Sequence, residues 1–118
     1  MEWESFSAPG GGEGQRAFAL HPPGELVSDL LRRDRTWEGV ESALLRAALR
    51  PGAVVVDAGA NLGWHAAWAA LAVGPAGRVY AFEPDPRNLA LLRANGAGLP
   101  QLRALGAALG EARGEVAF

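Results

Sequence analysis

Apolar residues recur with a helical spacing in part of the chain and with a strand-like spacing elsewhere. Over residues 25–33 and 38–49 they fall three or four positions apart, which predicts two amphipathic helices. Residues 16–20 alternate as a short edge strand does. Residues 1–15 contain a run rich in Ser, Pro, Gly and Glu, so we expect a flexible leader there.

From residue 51 onward, strand-like and helical segments follow one another. Residues 53–57 are a continuous β-branched apolar run, typical of a strand that is covered on both faces. The elements predicted after it are a glycine-bearing turn at 58–63, a helix to about 73, a strand at 78–82, a helix beginning at Asp85-Pro86, a strand at 102–105 and a short strand at 115–118. Strands that alternate with helices form parallel sheets, so we predict an α/β fold with flanking helices.

Length and composition limit the classes of function. The 118 residues suffice for one domain, in which we expect a leader (1–15), an N-terminal strand with helices (16–50) and the sheet region (51–118). The net charge of −2 gives no basic surface for nucleic acid or membranes. With no cysteine and two histidines, thiolate chemistry and a transition-metal site are not expected. We expect a cytoplasmic protein.

Polar residues follow two neighbouring predicted strands. Asp57 ends the first strand, and Gly59 and Gly63 lie in the turn after it, where they let a ligand approach the backbone. Glu83 ends the next strand, where a carboxylate can accept hydrogen bonds from both hydroxyls of a ribose. Because ligands of open parallel sheets lie beyond the carboxyl ends of the strands, these residues predict a nucleoside site.

The charge at this turn indicates which kind of nucleoside the site would bind. A dinucleotide site uses GxGxxG and rests a pyrophosphate on the following helix, whereas here Gly59 and Gly63 lack a third glycine. Asp57 would repel a pyrophosphate. S-adenosylmethionine (SAM) carries an ammonium, a sulfonium and a ribose but no phosphate, so it suits two carboxylates better than a nicotinamide or flavin nucleotide does. The alternative is a purely structural role, in which Asp57 and Asn61 only cap a turn or helix and Glu83 is a solvated charge.

Three motifs together resemble the FkbM family of SAM-dependent methyltransferases: D-x-G-A-N-x-G at 57–63, G-P-x-G-R-V at 74–79 and F-E-P-x-P-x-N at 82–88. The resemblance covers about residues 37–118 and implies a Rossmann-like methyltransferase fold. It also implies the surroundings of SAM: Asp57, Gly59, Asn61 and Gly63 around the methionine part and the ribose, Glu83 on the ribose diol, Pro84 beside the adenine, the backbone near Ala108 at the adenine edge, and Glu38 near the amino group.

The sequence departs from the family in its extent. Family members usually have a seven-stranded sheet, whereas this sequence carries the first three core strands, so we expect a sheet truncated after the third. Family members place the methyl-acceptor pocket and its general base on the later strands, so we do not expect them here. His65 follows the glycine turn, but no partner for it is evident in the sequence. The expected function is O-methylation of a small molecule such as a sugar or natural product. The alternative is a non-catalytic SAM-binding fragment or subunit that another chain completes.

An unpaired apolar strand is prone to pair with another chain. Residues 53–57 would lie at the edge of the truncated sheet. We therefore expect a dimer or a partner chain on the first core strand, with a small molecule as the methyl acceptor.

Overall fold

The computed structural model of the chain describes residues 1–11, 14–110 and 113–114. Its elements are β1 (Glu2–Ser7), a short 3-10 turn (Pro9–Gly11), β2 (Gln15–Leu20), α1 (Leu26–Asp34), α2 (Gly39–Ala48), β3 (Val54–Ala58), α3 (Trp64–Val73), β4 (Arg78–Phe82), α4 (Pro86–Gly96) and β5 (Leu102–Leu105). The helices and strands predicted between residues 16 and 105 are confirmed to within about two residues. The strand predicted at 115–118 lies outside the described residues. None of the helices in the described ranges is both long enough and apolar enough to cross a membrane.

The central sheet is parallel and has the order β3-β4-β5. Two successive crossovers, through α3 and then α4, step in the same direction across the sheet. Because such crossovers are right-handed, both helices lie on one face. Val79 and Ala81 point to that face and are fully buried. The predicted α/β fold with a parallel sheet and flanking helices is confirmed.

The other face of the sheet is open along β3. Val54 and Val56 are 67% and 59% exposed, whereas Val55 between them is partly buried against the core. The expectation that residues 53–57 form a strand covered on both faces is therefore wrong. Its β-branched run fits a covered strand, but both crossover helices lie on one side, and no helix among the described residues covers the other.

The N-terminal segment is an ordered hairpin, and the expected flexible leader over 1–15 is wrong for residues 2–7. β1 pairs antiparallel with β2, from Glu2 opposite Leu20 to Ser7 opposite Gln15. Phe6 is 1% exposed, and its ring lies 6.0 Å from Phe18 and 5.5 Å from Trp64. This aromatic packing against α3 fixes a segment whose composition alone is that of a loop.

One buried amide joins the hairpin to the rest of the fold. The side-chain oxygen of Asn95 on α4 accepts a hydrogen bond from the Ala19 amide at 2.6 Å. Its Nδ2 donates to the carbonyls of Ala19 at 3.1 Å and Leu62 at 2.7 Å. Since Leu62 belongs to the turn before α3, this amide holds β2, α4 and the candidate site turn in one arrangement.

Candidate cofactor-binding site

The turn after β3 is fastened to the end of β4. The amides of Gly59 and Ala60 both donate to the Phe82 carbonyl, at 2.8 and 2.9 Å. Gly59 has a φ of 71° and Asn61 a φ of 55°, a left-handed conformation that glycine and asparagine adopt most readily. A Cβ added to Gly59 would meet no atom of the described residues within 4 Å, so in this part of the chain the backbone is open on the side where a ligand would approach.

Gly63 lies where α4 packs against the start of α3, and its place beside the cofactor stays a prediction. With a φ of 95° it precedes α3, and a Cβ here would lie 2.7 Å from Leu92 Cδ1 and 3.6 Å from the Leu92 Cα. The missing side chain therefore allows α4 to pack against the start of α3. This residue was expected to surround the cofactor, but it does not line the cleft described next.

A cleft of about 200 Å³ opens beside the turn. It is lined by Val27, Trp37, Glu38, Asp57, Gly59, Ala60, Asn61, Leu62, Trp64 and His65. Four of the predicted site residues thus come together in one concave site: Glu38, Asp57, Gly59 and Asn61. Trp64 is 2% exposed and packs in the core, and it also forms part of the cleft wall.

Asp57 is the least satisfied polar group of this cleft. Its Oδ2 is buried and has no hydrogen-bond partner among the described residues. Burial raises the pKa of Asp57, the charge of His65 opposes that rise, and the Glu83 carboxylate adds to it. A buried, unpaired carboxylate oxygen is costly, and a cationic or hydrogen-bond-donating ligand would remove that cost.

Glu83 is not brought into the cleft beside Asp57. The residue is 6% exposed, and its two oxygens accept hydrogen bonds from the backbone amides of Asn61 at 2.7 Å and Asp85 at 2.9 Å. The carboxylate thereby joins the two loops that follow β3 and β4. A carboxylate oxygen can accept more than one hydrogen bond, so the role at a ribose stays a prediction.

The structure gives His65 the partners that the sequence did not reveal. Its Nε2 lies 3.1 Å from Glu38 Oε1, and its Nδ1 lies 3.3 Å from Ser42 Oγ. Glu38 precedes α2 in a left-handed conformation with φ 47° and makes no side-chain cap to that helix. Its carboxylate is therefore turned toward α3 and the cleft instead of toward its own helix.

Several solved structures resemble the chain. They include a SAM-dependent O-methyltransferase from Thermotoga maritima (25% identity over 80% of this chain, TM-score 0.56) and TrmN from Thermus thermophilus (32% identity over 77%, TM-score 0.55). Fibrillarin from Aeropyrum pernix, crystallised with natively bound S-adenosyl-L-methionine, matches at 22% identity over 58% of this chain, with a TM-score of 0.51. The fold is that of the Rossmann-like methyltransferases. No protein-family model matches the chain, and no curated protein matches it.

The chain corresponds to only part of each of these methyltransferase structures. It spans 37% of the Thermotoga protein, 28% of TrmN and 32% of the fibrillarin. The similarity therefore fixes the fold of the described sheet and its helices.

Two predicted adenine neighbours lie away from the cleft of this methyltransferase fold. Pro84 is half-buried after β4, and Ala108 is exposed after β5. Neither residue lines the cleft, so their contacts with an adenine stay predictions. Within the parts of the chain that the structure covers, no group of three or more His, Cys, Asp or Glu side chains is placed to hold a metal ion.

Proposed function

We propose that the cleft binds SAM and that the chain is the cofactor-binding part of a SAM-dependent methyltransferase. The observation that carries this proposal is the buried Asp57 Oδ2, which has no hydrogen-bond partner among the described residues and lies in a cleft that the backbone of Gly59 leaves open. Both features suit a ligand that brings a hydrogen-bonding cation close to the backbone.

The charge of the cleft supports SAM over a dinucleotide. Two carboxylates line it, from Glu38 and Asp57, and His65 is its only basic residue among those described. An ammonium group of the ligand would be attracted by both carboxylates, whereas a pyrophosphate would be repelled by them. Asp57 and Glu38 would hold the amino group, and Gly59 and Asn61 would border the methionine part and the ribose.

SAM supplies an activated methyl group for transfer to a nucleophile. In this proposal, Glu38, Asp57, Gly59 and Asn61 bind and orient that methyl donor. The acceptor class comes from the resemblance to the FkbM family, which favours a hydroxyl oxygen of a sugar or natural product. The O-methyltransferase among the structural neighbours is consistent with transfer to oxygen.

Calorimetric titration with S-adenosylhomocysteine (SAH) tests this proposal, with 5′-methylthioadenosine as the matched ligand. Both ligands carry the adenosine and a sulfur, but only SAH has the amino-acid end, whose ammonium group would face the carboxylates. We expect one site for SAH and roughly tenfold or more weaker binding of methylthioadenosine, since a hydrogen bond to a charged group contributes about 1.5–3 kcal/mol. Equal affinity for the two ligands, or no binding of SAH, would contradict the proposal.

A second candidate is a SAM-binding subunit that another chain completes, and the open edge of the sheet favours it. Arg78 N donates to Ala53 O in the parallel ladder, so the register turns the amides of Val54 and Val56 away from β4. A groove of about 320 Å³ runs beside this edge; among its lining residues are Leu45, Val55 and Ala69. A strand added to β3 would satisfy the outward amides and cover apolar surface.

Hydrogen exchange measured residue by residue tests this second candidate. In a monomer at low concentration, the Val54 and Val56 amides are expected to exchange much faster than the Val55 amide, which the register directs at β4. On dimerisation or partner binding, the outward amides gain protection and Val55 changes little. If Val54 and Val56 are as protected as Val55 in a demonstrated monomer, the edge is not free and the second candidate fails.

A further inference from the structure

His65 lies among acidic groups, and no arginine in the described part of the chain forms an ion pair with those groups. It is the second residue of α3, a helix whose other residues are uncharged. Arg46 of α2, the helix that packs against α3, donates to the Pro9 carbonyl and lies over the Trp68 ring. The acidic groups on the elements around it are Glu38 and Glu41 from α2 and its N-terminal cap, Asp57 from β3 and Glu83 from the end of β4.

The hydrogen bonds of Ser42 determine which ring nitrogen of His65 carries a proton. The Ser42 hydroxyl donates its one hydrogen to the Trp37 carbonyl at 2.8 Å, and its oxygen accepts from Trp64 Nε1 at 3.1 Å. The 3.3 Å contact to His65 Nδ1 therefore requires that Nδ1 be the donor. A neutral ring of this tautomer has no hydrogen on Nε2.

The contact between His65 Nε2 and Glu38 then requires a second proton. Nε2 lies 3.1 Å from Glu38 Oε1, and two bare acceptors would repel each other at that distance. With Glu38 as a carboxylate, the full set of contacts is satisfied by the imidazolium, which donates from both nitrogens. In this arrangement the cation also lies near Asp57, and its charge lowers the pKa of that carboxyl against the effect of burial.

We propose that His65 is a positioning residue whose proton stands in for the ammonium group of the ligand. With the site free, the His65 cation holds Glu38 and balances Asp57. When the ligand's ammonium takes over both tasks, His65 loses its Nε2 proton to the solvent and keeps its Nδ1 bond to Ser42. This inference rests on the proposed function, because it requires an ammonium-bearing ligand in the cleft.

The affinity for SAH depends on pH because the ligand's ammonium group replaces the His65 proton. The free protein binds one more proton than the complex, so the affinity for SAH is expected to rise with pH. The rise is at most about tenfold per pH unit for one proton. Methylthioadenosine has no ammonium group, so its affinity is expected to change much less with pH.

Calorimetry of SAH binding near pH 6.5 in two buffers of different protonation enthalpy counts the released protons directly. We expect release of a sizeable fraction of one proton in the unmodified chain and nearly none in His65→Gln, whose neutral amide can donate to Glu38 but has no proton to lose. His21→Gln is the matched control, because the other histidine bonds Asn88 at 2.7 Å in a different region, and it should release as many protons as the unmodified chain.

The possible failures separate the two proposals. Binding of SAH with no proton release would overturn the role of His65 and leave SAM binding intact. Equal proton release by His65→Gln and the unmodified chain would assign the proton to another group, such as Asp57, and would also overturn it. No SAH binding by the unmodified chain would instead overturn the proposed function, and the role of His65 with it.

Discussion

Replacement of Asp57 by asparagine is expected to weaken SAH binding roughly 10- to 100-fold and, at neutral pH, to raise the melting temperature of the ligand-free protein. The loss of affinity follows from the lost hydrogen bonds between the carboxylate and the ammonium, worth about 1.5–3 kcal/mol. The gain in stability follows because burial raises the pKa of Asp57 despite the nearby charge of His65, so the folded protein holds this carboxylate at a net cost. A residue kept for packing alone would not show these two opposite effects.

The pH dependence of that stability gain has a definite sign. Burial raises the pKa of Asp57, so the folded chain binds the proton more readily than the unfolded chain does. The protonated carboxyl is tolerated in acid, and stability is lost as the pH rises through the raised pKa. Asp57→Asn should therefore stabilise at pH 7 and have little effect below about pH 4, the ordinary range of aspartate.

Asp85→Asn is the matched control for this experiment. Asp85 caps α4, and its hydrogen bonds with the side chain and the backbone of Arg87 lower its pKa. Loss of the charge at Asp85 should lower the stability at neutral pH, which is the opposite sign. Melting curves of both variants at pH 4 and pH 7 provide the comparison. If Asp57→Asn destabilises the protein at pH 7, Asp57 does not destabilise the ligand-free fold. If the variant binds SAH as the unmodified chain does, Asp57 does not bind the ligand.

Replacement of Asn95 by alanine is expected to reduce the free energy of unfolding by about 3 kcal/mol. The change leaves the buried Ala19 amide and the carbonyls of Ala19 and Leu62 without their side-chain partner. A buried polar group left unpaired costs about 1–3 kcal/mol. Because one side chain bonds all three groups, their costs are not expected to add in full. The hairpin and the candidate site turn should both loosen, because the same side chain holds them.

Urea denaturation measures this loss, and Asn88→Ala on the same helix is its control. Asn88 bonds the half-buried ring of His21 near the surface, so its replacement should cost about 1 kcal/mol or less. Equal effects of the two substitutions would mean that the Asn95 amide does not connect the hairpin to the fold. Weaker SAH binding by Asn95→Ala, measured where the variant is still folded, would show that the turn depends on it.

The sequence predicted the elements of the sheet region well because each carries a local signal. β-branched runs, the glycine turn and the Asp85-Pro86 helix start are properties of neighbouring residues. Asp57 in the cleft could also be predicted, since the carboxyl ends of parallel strands are where ligands bind. The fold class follows from the alternation of these elements alone.

What the sequence did not reveal depends on contacts between distant residues. The hairpin strand at residues 2–7 forms because Phe6 packs on Trp64 of α3, and nothing local in a Ser- and Glu-rich segment indicates that. The pair of His65 and Glu38 joins residues 27 positions apart through the packing of α2 against α3. Gly63 was expected beside the cofactor because glycines mark close approach, and the sequence did not reveal that Leu92 approaches it closely.

The ligand preference of the unmodified chain tests the central claim most directly, namely that the cleft is built for a nucleoside that carries an ammonium group and no phosphate. SAH and NAD should be titrated calorimetrically into the same protein at the same pH and ionic strength. The carboxylates of Asp57 and Glu38 predict saturable binding of SAH at one site and no measurable binding of NAD. Tighter binding of NAD than of SAH would contradict the claim.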